Sequence, residues 1–173
     1  MTTTATSVQR AREPRRVTAA GFRAVLHEGL ARAARAVPSA ERLCIIVADA
    51  NATSPMAMDL PGAFPSSSTS VWCHADGSVR VRATWAPPTL LIRPGRTVMV
   101  PESPGQPGSA HLEVGERLLV LSAAAFEAAP EAMVRLLHEK PERLLAADPV
   151  ELLDELFREA PNGGGAVVTR MED

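Results

Sequence analysis

Residues 115–129, GERLLVLSAAAFEAA, decide how the rest of this chain is read. Gly115-Glu116 makes a turn, Leu118–Leu121 is an unbroken apolar run of strand length, and Ser122-Ala123-Ala124 steps into a helix that carries Glu127. A strand without polar alternation is buried on both faces. The segment is therefore a central strand that feeds directly into a helix.

Toward the C-terminus the signals stay helical. Pro130 starts a helix through Met133, Leu136 and Leu137 that Lys140-Pro141 ends, and Pro141 to Ala147 adds a further turn or two. Asp148-Pro149-Val150-Glu151 joins an aspartate cap, proline at the first helical position and glutamate three residues after the cap, a strong start signal. Val150, Leu153, Leu156 and Phe157 give that helix its buried face. Asn162-Gly163-Gly164-Gly165 breaks the pattern, and Ala166–Thr169 forms a closing strand.

Toward the N-terminus the pattern is antiparallel sheet. Asp76-Gly77 turns a hairpin between strands near 71–74 and 79–84, in which Val79, Val81 and Ala83 alternate with Arg80, Arg82 and Thr84. Leu90–Ile92 and Thr97–Val100 flank a second turn at Arg93–Arg96, and residues 101–110 (PESPGQPGSA) are expected to be loop. Leu43–Ala48 is another continuous apolar run, a central strand ending at Asp49, followed by a short helix near Pro55–Leu60 and then loop. Phe22, Val25, Leu26, Leu30, Ala33 and Val37 recur at three- and four-residue steps behind Thr18, which predicts a helix over 18–37 whose apolar stripe serves the core or a partner. Residues 1–16 lack periodicity and are expected to be a disordered basic arm. That leaves 17–173 as one α+β domain, a layered sandwich with mostly antiparallel sheets.

Composition narrows the function classes. A chain of 173 residues with 46% hydrophobic and 22% charged residues suits one soluble domain. No apolar run reaches the roughly 18 residues of a membrane span, and the N-terminus lacks the apolar core of a secretory signal, so a cytoplasmic location is expected. Cys44 and Cys73 sit in apolar strand-like runs and are expected to be buried free thiols. Residues 1–42 carry eight Arg against three Glu, while the remainder is acidic. Arg10, Arg12, Arg15 and Arg16 in the arm are therefore candidates for contact with an acidic partner. Nucleic acid is a poorer match, because the chain has no tyrosine and only Trp72 and Trp85 for stacking. Cys73-His74 does not make a nucleophile–base pair, since neighbours on a strand face opposite ways, and the four histidines have no metal-ligand spacing.

Four stretches, in order, resemble the bacterial serine phosphatases of the PPM type (protein phosphatase 2C superfamily, stage-II-sporulation-E-like branch). CIIVADANATSPMAM (44–58) is similar to the family's strand ending in Asp, then Gly-His-Gly, then a helix. VRVRATWAPPTLLIRPG (79–95) is similar to its Asn-Ala-Gly-His-Pro-Pro segment before a Leu-rich strand. GERLLVLSAAAFEAA resembles its Gly-Asp-x-Leu-Leu-x-x-Thr-Asp-Gly-x-x-Glu-Ala segment, and GGGAVVTRM (163–171) its terminal Asp-Asp strand.

The resemblance implies an αββα sandwich, here abbreviated, and a site of clustered aspartates holding two manganese or magnesium ions. Hard divalent cations take carboxylate oxygens, and the metal-bound water attacks a phosphoserine. Residue by residue the ligands are missing. Asp49 matches the first metal aspartate, but Gly-His-Gly has become Ala52-Thr53-Ser54, Thr-Asp-Gly has become Ser122-Ala123-Ala124, and Asp-Asp has become Gly164-Gly165. Asn-Ala-Gly-His has become Ala83-Thr84-Trp85-Ala86, with Pro87 and Pro88 retained. One vestigial carboxylate does not hold a metal pair, so no catalytic residue and no cofactor is expected. The expectation is a pseudophosphatase that works by protein–protein contact, with a sigma-factor regulator as the implied kind of partner. A homodimer is a further option, because the short span after Asp49 trims a helical layer and leaves an apolar sheet face to be covered. The alternative is a residual manganese- or magnesium-dependent phosphatase in which Asp76, Glu116 or Glu127 joins Asp49.

Overall fold

The computed structural model describes residues 13–30, 33–48, 67–102 and 105–172. Its strands form two sheets in which every pairing is antiparallel. The first sheet runs in the order β1 (Arg15–Ala19), β2 (Phe22–His27), β11 (Gly165–Arg170), β10 (Arg117–Leu121), β7 (Thr89–Arg93) and β8 (Arg96–Val100). The second runs β3 (Ala34–Pro38), β4 (Arg42–Ala48), β5 (Ser68–His74), β6 (Ser78–Thr84) and β9 (Gly108–His111). Four helices, α1 (Ala123–Ala128), α2 (Pro130–His138), α3 (Pro141–Ala146) and α4 (Pro149–Phe157), lie between β10 and β11 in the chain.

Two apolar layers hold the elements together. Between the sheets, Phe22, Leu26, Leu43, Ile45, Val71, Val81, Leu118 and Val168 are fully or almost fully buried. Behind the first sheet, Val25, Leu90, Ile92, Leu119, Leu121 and Val167 meet Met133, Leu136, Leu144, Leu153, Leu156 and Phe157 from the helices. Strands of the first sheet thus carry buried residues on both faces, which is why Leu118–Leu121 has no polar alternation. The Asp148 side chain accepts from the backbone N–H groups of Val150 and Glu151 at 2.9 and 3.2 Å, capping α4 as its sequence predicts. Arg117 fastens the layer from below, its Nη1 donating to the Leu144 and Ala147 carbonyls at the end of α3.

The expected helix over 18–37 is instead three strands. Ala20 and Gly21 both have positive φ and form a two-residue turn that pairs Ala19 with Phe22, the geometry that matches strand twist. β2 lies between β1 and β11 and is buried on both faces, so its apolar positions imitate a helical stripe. Arg15 and Arg16, expected in the disordered arm, open β1, while Arg10 and Arg12 lie outside the described residues. The expected loop over 101–110 contains the start of β9, a short edge strand of small residues without an apolar signal. The helix predicted near Pro55–Leu60 also lies outside the described residues. Cys44 and Cys73 are free; they sit on neighbouring strands one residue out of register and face opposite sides of the sheet. Burial pushes the Cys73 thiol up to about 12. Among the described residues no helix is long and apolar enough to cross a membrane.

Candidate functional site

The segments that carry the family resemblance converge at one end of the sandwich. β4 ends there at Ala48, β10 at Leu121, β11 begins there at Gly165, and β6 ends at Thr84, paired with Ser68. Asp49 follows Ala48 and lies outside the described residues, so the site is defined by its neighbours. Ala33 is the hub. Its carbonyl accepts from Ala48 N–H at 2.7 Å, and its N–H donates to the Glu28 carbonyl at 2.7 Å.

Ser122 and Gly164 meet beside it. Gly164 N–H donates to the Ser122 hydroxyl at 3.1 Å, and Ser122 N–H donates to the Gly164 carbonyl at 2.9 Å. Ser122 is buried and heads α1, whose first residues are Ala123 and Ala124. The chain therefore brings together the two stretches that resemble the family's Thr-Asp-Gly and Asp-Asp motifs, with the end of β4 beside them.

The space for carboxylates at the two glycines is gone. A Cβ on Gly164 would lie 2.6 Å from Ala33 Cβ and 2.8 Å from its carbonyl carbon. A Cβ on Gly165 would lie 2.8 Å from the Phe157 ring and 2.9 Å from the Val120 carbonyl oxygen. All four distances are shorter than real contacts, and the obstruction includes backbone. Among the described residues, Gly164, Gly165 and Ala123 offer no side-chain oxygen to a manganese or magnesium pair, and neighbouring atoms occupy the space beside the two glycines. Phe157 also stacks on His27, with ring centroids 4.5 Å apart and planes 4° apart. His27 pairs with Gly165 across the strands and is buried with no partner for Nδ1. Desolvation holds its pKa below the ordinary histidine value, against a weaker opposing pull from Asp154.

Two of the three alternative carboxylates, Asp76 and Glu116, lie at the opposite end of the sandwich. Asp76 sits in the turn at the far end of β5, where it accepts from the Ser78 N–H and hydroxyl, and these bonds hold its carboxyl below the usual range. Glu116 precedes β10 at the same far end, accepts from Glu113 N–H and pairs with Arg93 at 3.5 Å. A strand of seven residues such as β5 separates the two ends by roughly 20 Å. Glu127 is exposed on α1. Among the described residues no three His, Cys, Asp or Glu side chains gather as a metal site.

Two further features of this end were not legible beforehand. Trp85 has a left-handed backbone, φ +51°, and is 89% exposed. The Ser67 hydroxyl donates to its carbonyl at 2.9 Å and fixes the loop. Trp85, Met99, Pro88 and Pro101, with Arg82 and Glu102, line an open cavity of about 1070 Å³. Ala33, His27 and Phe157, which close the centre, had no motif; only the glycine run 163–165 hinted that neighbours fill its space.

Comparison with solved structures decides the architecture. The PP2C phosphatase domain of SpoIIE from Bacillus subtilis, with a fragment of its regulatory domain, matches with a TM-score of 0.60 at 12% identity. The match covers 81% of this chain and 57% of that one, so the chain spans little more than half of it. The fold is that of the PPM phosphatases. RsbX in complex with magnesium matches over 92% of this chain and 100% of its own, with a TM-score of 0.57 and 8% identity. The catalytic domain of the serine/threonine phosphatase PstP in complex with two manganese ions gives a TM-score of 0.51 at 13% identity, covering 88% and 98%. No protein-family model matches the sequence. No curated protein matches it either. The PPM fold is thus retained here at identities too low to carry residue roles across.

Proposed function

We propose that this chain is a pseudophosphatase: a PPM-fold domain without phosphatase chemistry that acts by protein–protein contact in bacterial, cytoplasmic signalling. The observation that carries the reading is the packing of Ala33 against Gly164 and of Phe157 against Gly165, where side-chain carboxylates would have to stand. A site that had only lost its ligands would leave a polar cavity; this one is closed by apolar atoms and by a Ser122–Gly164 hydrogen-bond pair. The fold relatives include SpoIIE, described as a cell fate determinant, and the RsbU and RsbW domains of Rv1364c from Mycobacterium tuberculosis. Regulation of a sigma factor through partner switching is the corresponding role for this chain, with Arg10, Arg12, Arg15 and Arg16 as contact candidates. No cofactor is required. The test is hydrolysis of a phosphoserine peptide by the full chain with Mn²⁺. The expected result is no turnover above buffer, unchanged by Asp49→Asn. Manganese-dependent hydrolysis that Asp49→Asn abolishes would overturn the reading.

A further inference from the structure

We propose that the outer face of the second sheet is a docking surface for an acidic amphipathic helix of a partner protein. The proposal rests on the reading of the chain as a binding domain and adds the surface and the partner's chemistry. Strand alternation defines the face. Leu43, Ile45, Val71, Cys73, Val79 and Val81 are buried inward, so the residues between them point outward. Register then sets Val37, Cys44, Trp72 and Arg80 in one cross-strand row, and Arg35, Ile46, Ser70 and Arg82 in the next. Arg42 stands opposite His74 in a third.

Two properties of this face select the occupant. Its outward positions on β3 to β6 carry four arginines and no carboxylate. Residues 123–159, by contrast, which include the helices behind the first sheet, hold nine carboxylates against four Lys and Arg. Arg42 and Arg80 are exposed, and Arg35, half-buried beside Ile46, has an Nε shielded from solvent without a hydrogen-bond partner. The second property is the apolar row within the basic field. Val37 is 51% exposed, and Cys44, Ile46 and Trp72 are half-buried. Val37 to Trp72 crosses two strand spacings, about 10 Å, which is the width of one α-helix. A helix with Leu on one side and Glu along both flanks meets this pattern, its carboxylates reaching planar guanidinium forks. Helix–sheet packing in the described residues falls on β2, β7 and β11, all in the first sheet; among the described residues no helix covers the second sheet, and a docked helix would add an outer layer.

The same geometry disfavours other anionic surfaces. Bilayer insertion needs apolar groups that reach about 5–10 Å into the lipid, whereas Cys44, Ile46 and Trp72 are half-buried. Phosphate recognition has no use for an apolar row between the arginines.

The test uses the full chain with Trp85→Phe, which leaves Trp72 as the single indole. The probe is a synthetic 18-residue helix with Leu at i, i+3, i+4 and i+7 spacing and Glu elsewhere; its control has Lys for Glu. The expected result is a saturable blue shift of Trp72 emission with the Glu peptide and none with the Lys peptide. Arg42→Glu with Arg80→Glu should weaken binding at least tenfold, and Arg42→Gln with Arg80→Gln severalfold, with circular dichroism unchanged. No shift, or a shift insensitive to these substitutions, overturns the proposal. So does a response to phosphatidylglycerol vesicles or duplex DNA in place of the peptide, or to the chain's own concentration. Peptide binding together with manganese-dependent hydrolysis would keep the docking surface and remove the inactive reading; absence of both would do the reverse.

Discussion

The first sheet has helices behind it; the second has none among the described residues, and the two are written differently. In the first, β7 buries Thr89 through Ile92, β10 buries Leu118 through Leu121, and β11 buries Gly165 through Val168 without a break. In the second, β5 alternates residue by residue between buried and half-buried, and β6 places Arg80 and Arg82 between Val79, Val81 and Ala83. A strand between two layers needs an apolar side chain at every position, and a strand with one layer behind it needs one at every second. β4 is the exception: its unbroken apolar run Leu43–Ala48 lies in the second sheet, where Cys44 and Ile46 are only half-buried. Residues 122–124 and 163–165 meet at one end of the first sheet, and there Phe157 of the helical side packs over Gly165.

Substitutions can break or sharpen this contrast. The largest expected effect is Gly165→Asp, which places a carboxylate where the added Cβ meets Phe157 at 2.8 Å and the Val120 carbonyl oxygen at 2.9 Å. Overpacking and burial of a charge together should cost about 4 kcal/mol or more in urea unfolding. Wild-type stability would show that the site remains open. Phe157→Ala removes the ring that fills this space and should cost about 3–4 kcal/mol by the same measurement. Arg117→Ala frees the Leu144 and Ala147 carbonyls and should cost about 2 kcal/mol, with loss confined to the helical side. A fourth prediction concerns pH. Burial holds the folded-state pKa of His27 below the ordinary 6.5, so the unfolded chain binds the proton more readily. Its contribution is full above that value and declines as pH falls through and below it. His27→Gln should flatten the acid limb of a stability–pH curve; an unchanged limb would assign it to other groups. The smallest effect belongs to the second sheet: Arg80→Glu should change stability by no more than about 0.5 kcal/mol, since its exposed side chain packs on nothing that folding needs.

Legibility followed the same division. The hairpins at Asp76-Gly77 and Pro94-Gly95 and the Asp148-Pro149 cap carried local turn chemistry, and each appears where the sequence places it. β2 was misread as helix because burial on both faces removes the period of two, and Ala20-Gly21, the actual turn, lacks the Asn-Gly or Asp-Gly signature. β9 was missed because Gly108, Ser109 and Ala110 on a sheet edge bury little. At the site, the absence of carboxylates was visible in Ser122-Ala123-Ala124 and Gly164-Gly165. The closure was not, because it depends on Ala33, which is distant in sequence and has no polar chemistry to mark it. Trp85 carries no turn signal of its own, yet it adopts the left-handed backbone that a glycine takes freely.

The most direct test of the erased metal site is a calorimetric titration of the full chain with Mn²⁺ beside Asp49→Asn. The account predicts no saturable binding tighter than about 1 mM in either protein. Saturable binding of two ions at micromolar concentration, lost in Asp49→Asn, would contradict it.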